Sequence, residues 1–214
     1  MQRLAAAETP SAAHSNALTG TLKRGFLKKL SALLQRLSLG SVVLLATLIF
    51  IVFTATVLPR QSAAAEANGA GAATPDLSFF YTPTELVRMA EAYGVDGRQA
   101  YVRARFTFDV AWPLVYTFFL VTTTSWLFRR GFPAESRWQF ANLVPLLAAL
   151  FDFLENMTTS WVMLRFPDQA PLAGILASLA TPLKWIFVGG SFLLLVVGIV
   201  AAIVTAIRRG QPGE

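Results

Sequence analysis

The sequence predicts an all-α fold: a multi-pass integral membrane protein built as a four-transmembrane-helix bundle, with a short helical extracytoplasmic segment between helices 1 and 2. Three observations carry this expectation. Four apolar runs, residues 39–58, 106–128, 138–163 and 183–207, each approach or exceed the ~20 residues that cross ~30 Å of hydrocarbon. Only 14% of the 214 residues are charged while 55% are hydrophobic, against about 25% charged in soluble domains. The basic residues also crowd into alternate connecting segments, as membrane topology requires.

The same composition excludes several function classes. A chain this rich in aliphatic and aromatic residues is not disordered. There is no cysteine and only one histidine, His14. Disulfides, thiol catalysis and thiolate metal sites are therefore absent, and a histidine-based site has no material. No cofactor and no metal are expected.

The segments follow in order. Residues 1–38 form a basic N-terminal tail; residues 1–20 are small and polar, and 21–38 carry apolar positions at helical spacing between basic ones. The second stretch reads as a basic flank for the first span, with an amphipathic surface helix as the alternative. Residues 39–58 are the first span, a signal anchor. Residues 59–65 resemble a signal-peptide exit, but the apolar core is longer than such peptides carry and the basic region before it is long, which favours retention. Residues 59–105 are an extracytoplasmic linker and short helices, with 61–74 low in complexity. Within it, Thr82-Pro83-Thr84-Glu85 predicts a capping box opening a helix that stops at Gly94. A second helix, capped by Asp96, is expected to run unbroken from about Gly97 into the second span. Residues 106–128, 138–163 and 183–207 are the remaining spans, separated by a loop at 129–137 and an extracytoplasmic turn or interfacial segment at 164–182; 208–214 is the C-terminal tail. The apolar run 172–181 is either the tip of a projecting helical hairpin or a separate helix broken at Pro182.

Charge sets the orientation. Residues 1–38, 129–137 and 208–214 together carry eleven basic and three acidic residues, whereas the other two connections carry six of each. Both termini are therefore expected in the cytoplasm and the chain in the cell membrane (inner or plasma). The +6 net charge then belongs to topology and to anionic lipid at the cytoplasmic face, not to a nucleic-acid partner. The small residues Gly198, Ala202 and Ala206 offer a face for close helix contact, within this chain or with a protein partner or second copy.

The informative residues are the polar ones inside the spans, which are costly in hydrocarbon and face a bundle interior. Asp109 lies one turn into the second span, Asp152, Glu155 and Asn156 late in the third, and Lys184 at the start of the fourth. With helices of alternating direction, all fall in the outer third of the membrane. Asp152, Glu155, Asn156 and Thr159 share one helical stripe, and Arg98, Tyr101, Arg105, Asp109, Trp112 and Tyr116 share another. Pro113 frees the backbone carbonyl of Asp109, an acceptor beside its carboxylate. Asp109, Asp152, Glu155, Asn156, Lys184, Arg105 and Tyr116 are thus the candidates for a ligand-binding site or a structural ion network. No catalytic residue is assigned. Three functions compete: a non-enzymatic binding or accessory subunit, favoured by the lack of a catalytic motif; a membrane-embedded hydrolase or transferase using paired carboxyls; and a small proton-coupled carrier, which the sparsely polar cytoplasmic half disfavours.

Overall fold

The computed structural model describes residues 25–68 and 74–210, and every regular element among them is helical. Most of the N-terminal tail, part of the 61–74 linker and the last four residues lie outside the described residues. The elements are α1 (25–37), α2 (Gly40–Thr56), α3 (Leu58–Asn68), α4 (Pro83–Ala92), α5 (Gly94–Arg105), α6 (Phe108–Gly131), α7 (Val144–Arg165) and α8 (Pro171–Gly210). Two 3₁₀ segments, Pro75–Leu77 and Arg137–Leu143, precede α4 and α7. Four helical stretches are long and apolar enough to cross a membrane: Gly40–Ala67, Gly94–Gly131, Arg137–Arg165 and Pro171–Gly210. The chain is a multi-pass, all-α membrane protein.

Several boundaries differ from the sequence expectation. Residues 61–68, read as linker, continue the first helix as α3; their alanines favour a helix over a flexible chain. The helix expected to run unbroken into the second span is interrupted at Phe106–Thr107, between α5 and α6. Asp96 lies in the first turn of α5 but does not cap it; Tyr93 holds that position. The third span opens with a 3₁₀ segment, and Pro145 enters the first turn of α7. Residues 171–182, expected within a turn or interfacial segment, belong to α8, which continues through Pro182. At 40 residues α8 is ~60 Å long, twice the hydrocarbon thickness. The upper part of α8 therefore rises past the spans beside α7.

That projecting hairpin is capped by α4 and α5. Tyr81, Leu86, Ala90, Tyr93 and Tyr101 bury against Val162, Met163 and Ala177. The capping box forms as expected: the Thr82 amide donates to Glu85 Oε2 at 2.7 Å and the Glu85 amide to Thr82 Oγ1 at 3.2 Å. Gly94 ends the turn at φ 63°, the left-handed region that glycine occupies without a Cβ penalty. The bonds from the Thr82 backbone and side chain hold the exposed Glu85 carboxyl below its ordinary value of 4.5. A lowered value means the cap contributes above the ordinary glutamate range and fades as pH falls through the folded value. Amide exchange should accordingly show α4 losing protection in acid, and Thr82→Ala should cost about 1 kcal/mol at neutral pH.

Below the cap, Tyr116, Phe119 and Leu120 of α6 pack on Ala148 of α7, with Phe50 of α2 stacked on Phe119 at 4.4 Å between centroids. At the far end α6 and α8 approach closely. A Cβ on Gly131 would stand 2.7 Å from the Ala201 Cβ and 3.0 Å from Ala201 backbone. Because backbone cannot rotate away, Gly131→Ala should push the helices apart and cost about 1–3 kcal/mol, read as an earlier unfolding midpoint in denaturing detergent. Helix α1 docks at the same end. Ser31 Oγ donates to Asn142 Oδ1 at 2.9 Å, while Asn142 Nδ2 donates to the Ser31 carbonyl at 3.1 Å and to Ser125 Oγ at 3.0 Å. The described part of the basic flank is thus a docked helix, held through Ser31 and Gln35, with the Arg129 guanidinium donating to the Ser38 carbonyl just beyond it at 2.9 Å.

Candidate functional site

At the opposite end, where the spans meet the cap, the structure gathers all seven sequence candidates. Arg105, Asp109, Tyr116, Asp152, Glu155, Asn156 and Lys184 are each buried. They form two ion-paired groups, with Asp152 and its neutral hydrogen-bond partners Tyr116 and Asn156 between them.

The first group centres on Arg105, at the last turn of α5. Its guanidinium pairs with Asp109 at 2.8 Å and with Asp76 from the Pro75–Leu77 segment. It also stacks over the Tyr101 ring at 4.5 Å, and the Tyr101 hydroxyl donates to Asp76 at 3.4 Å. The break at Phe106–Thr107 does not separate these residues: Arg105 and Asp109 still meet across it. Arg98, on the same sequence stripe, does not join them. It donates to the Ala90 carbonyl at 2.9 Å and lies over Phe166.

The second group centres on Glu155, which has no exposed surface. Lys184 pairs with its Oε2, and Thr181 donates to its Oε1 at 2.6 Å. Thr181 in turn lies 2.9 Å from the Tyr81 hydroxyl. Burial, and then the Glu155 carboxylate, push the Tyr81 phenol well above its ordinary value, so Tyr81 remains a neutral hydrogen-bonding group. Nearby, burial first and then the Asp76 carboxylate raise the Tyr93 phenol to about 12.

Between them stands Asp152. The Tyr116 hydroxyl donates to its Oδ2 at 2.9 Å and Asn156 Nδ2 lies 3.4 Å from its Oδ1. Asn156 Nδ2 also donates, at 3.1 Å, to the backbone carbonyl of Asp109. This carbonyl is the one that Pro113 strips of its helical partner, so the proline in α6 creates the acceptor by which α6 and α7 are bridged. Asp152 differs from the other carboxylates: its hydrogen-bond donors are neutral, and no lysine or arginine nitrogen among the described residues lies within ion-pair distance of it.

A cavity of about 260 Å³ opens beside these groups, lined from α3, the Pro75–Leu77 segment, α5, α6, α7 and α8. Asp76, Arg105, Asp109, Asp152 and Lys184 form its polar wall, and Phe108, Trp112, Tyr116 and Trp185 its aromatic wall. Glu155 and Asn156 are not on its lining; they stand behind it and support Lys184 and Asp152. Trp185 Nε1 donates to the Ser78 carbonyl at 3.0 Å, pinning the segment that carries Asp76 against α8. Among the described residues no group of three or more His, Cys, Asp or Glu side chains is arranged to hold a metal ion.

Sequence reasoning missed Asp76, Tyr81, Thr181 and Trp185. Asp76 and Tyr81 sit between a low-complexity stretch and α4, where no periodicity points at them. Thr181 did carry a signal, since it shares a helical face with Lys184 three residues on.

No known protein family, no curated protein and no solved structure matches the chain.

Proposed function

We propose that this is a non-enzymatic protein of the cell membrane, with both termini cytoplasmic, whose charged cavity faces outward and binds a small polar ligand or a lipid head group. The observation that carries it is the cavity itself, with five charged side chains and an aromatic wall in one enclosed space. Such concave, mostly apolar pockets with a few convergent polar groups are where small ligands bind.

Its depth supports the orientation. Asp109 precedes Arg129 by 20 residues and Lys184 precedes Arg208 by 24, which is ~30 and ~36 Å along a helix. The cavity thus lies about one hydrocarbon thickness from the arginines that mark the cytoplasmic side. Three of the four carboxylates in and behind its wall are not free acids and bases: Asp76 and Asp109 share Arg105, and Glu155 is held by Lys184. A hydrolase using paired carboxyls would need two facing the cavity without a cation, and only Asp152 stands so.

Native mass spectrometry of protein extracted gently from its own membrane tests this. A small adduct that survives extraction and is lost in Asp152→Asn is the expected result. A chain that carries no adduct but co-purifies with another protein would replace the ligand site by an accessory role. A bare chain would leave the cluster as architecture.

A further inference from the structure

The ligand class follows from the charge and hydrogen-bond inventory of the cavity, and it rests on the cavity being a binding site as proposed above. Four carboxylates, Asp76, Asp109, Asp152 and Glu155, surround two cations, Arg105 and Lys184. Two negative charges are left without a protein cation, and a buried charge without a partner is costly. One of the two falls on the Asp76–Asp109 pair, which shares the single Arg105 guanidinium, and the other on Asp152. Glu155 and the Asp76–Asp109 pair are each in contact with a cation, whereas Asp152, 7% exposed and on the cavity wall, is met only by the Tyr116 hydroxyl and the Asn156 amide.

Acceptors are in surplus too. A carboxylate offers about four lone-pair sites, and Asp152 uses two, one of them long. What would satisfy Asp152 is a group with positive charge and several donors, while the neighbouring Arg105 Nε, also buried without a partner, would take an acceptor on the same ligand. Facing this wall, Trp112 and Tyr116 present aromatic rings 5.6 Å apart to the same cavity, the surface that attracts a desolvated cation.

We propose that the cavity binds a protonated primary amine, with its ammonium group against Asp152 and its carbon-bearing end on the aromatic wall. A primary ammonium has three donors and one charge; a quaternary ammonium has the charge without the donors, and an alkali cation lacks the apolar end. A volume of about 260 Å³ suits a molecule of a few heavy atoms, or the head group of an ethanolamine lipid entering from the outer leaflet.

Thermal unfolding of the purified full chain, followed by tryptophan fluorescence, tests this with ethanolamine as the probe and choline, sodium chloride and sodium acetate at matched ionic strength. Ethanolamine is expected to raise the Tm in a saturable way and the others to leave it unchanged. Asp152→Asn, which keeps an acceptor for Tyr116, should weaken ethanolamine at least ~30-fold. Should that variant fail to accumulate, Trp112→Leu, which keeps every charge, should weaken it about fivefold; unchanged affinity there overturns the assignment. Choline or sodium acting as well as ethanolamine overturns the primary amine. Acetate acting in an Asp152-dependent way overturns the cation but keeps a binding site, and a Tm unmoved by every probe overturns both unless lipid already fills the cavity. Nanodiscs of phosphatidylethanolamine and of phosphatidylglycerol decide that case: phosphatidylethanolamine retained by the wild type and lost in Asp152→Asn names the lipid head group as the source, and its absence completes the refutation.

Discussion

Lys184→Met is expected to be the most damaging single substitution in the chain, at about 3–5 kcal/mol. The physical reason is Glu155. Its side chain has no exposed surface and its Oε2 faces Lys184 alone. With the ammonium gone, Glu155 keeps one strong donor, Thr181 at 2.6 Å, and must either hold an uncompensated charge or take up a proton. The pair itself is not worth that much, because taking both charges out of water offsets most of their attraction. Lys184→Met combined with Glu155→Gln should therefore recover most of the loss, since the glutamine can still accept from Thr181. Unfolding in denaturing detergent reads both variants. A single substitution costing under ~1 kcal/mol would mean that the pair is solvated, as surface pairs are.

Arg105→Met should rank second, at about the same cost, with a local signature that Lys184→Met lacks. Arg105 is the only cation within ion-pair distance of Asp76 and Asp109 among the described residues. Asp76 belongs to a three-residue 3₁₀ segment, Pro75–Leu77, held by Arg105, by Tyr101 at 3.4 Å and by the Trp185 bond to Ser78. Losing the guanidinium should release that segment before the bundle opens. Hydrogen exchange is expected to rise at residues 74–78 while α7 stays protected. Arg105→Lys should rescue only part, because one ammonium cannot bridge two carboxylates with a planar fork. Equal exchange at 74–78 in Arg105→Met and wild type would mean the segment is held by packing.

Much of this was readable from the residues, and each failure has its own physical cause. The spans follow from apolar length, which needs no tertiary information. The cluster follows from cost: Asp109, Asp152, Glu155 and Lys184 are too expensive to leave in hydrocarbon, so helical geometry and alternating direction suffice to bring them to one level. The freed carbonyl of Asp109 was also legible, because proline removes a specific bond; that Asn156 fills it required the fold. The helical tip at 171–182 was not decided, since the sequence allowed either a continuous helix or one broken at Pro182, and packing against α4 and α7 chose the first. Asp76 was invisible for a different reason. It is delivered by a short turn between helices, and nothing local distinguishes it from any other loop aspartate until Arg105 is seen beside it.

The absence of cysteine makes the orientation and openness of the cavity directly measurable. Ser62 on α3 lines the cavity, and Ser136 lies in the turn between α6 and α7 at the opposite end. In intact cells, a membrane-impermeant maleimide should label Ser62→Cys, and excess ethanolamine should slow that labelling. It should reach Ser136→Cys only after the membrane is permeabilised. The reverse pattern would turn the bundle over, and a Ser62→Cys chain that stays unlabelled on both sides would mean that the charged cluster has no opening to water and is not a binding site.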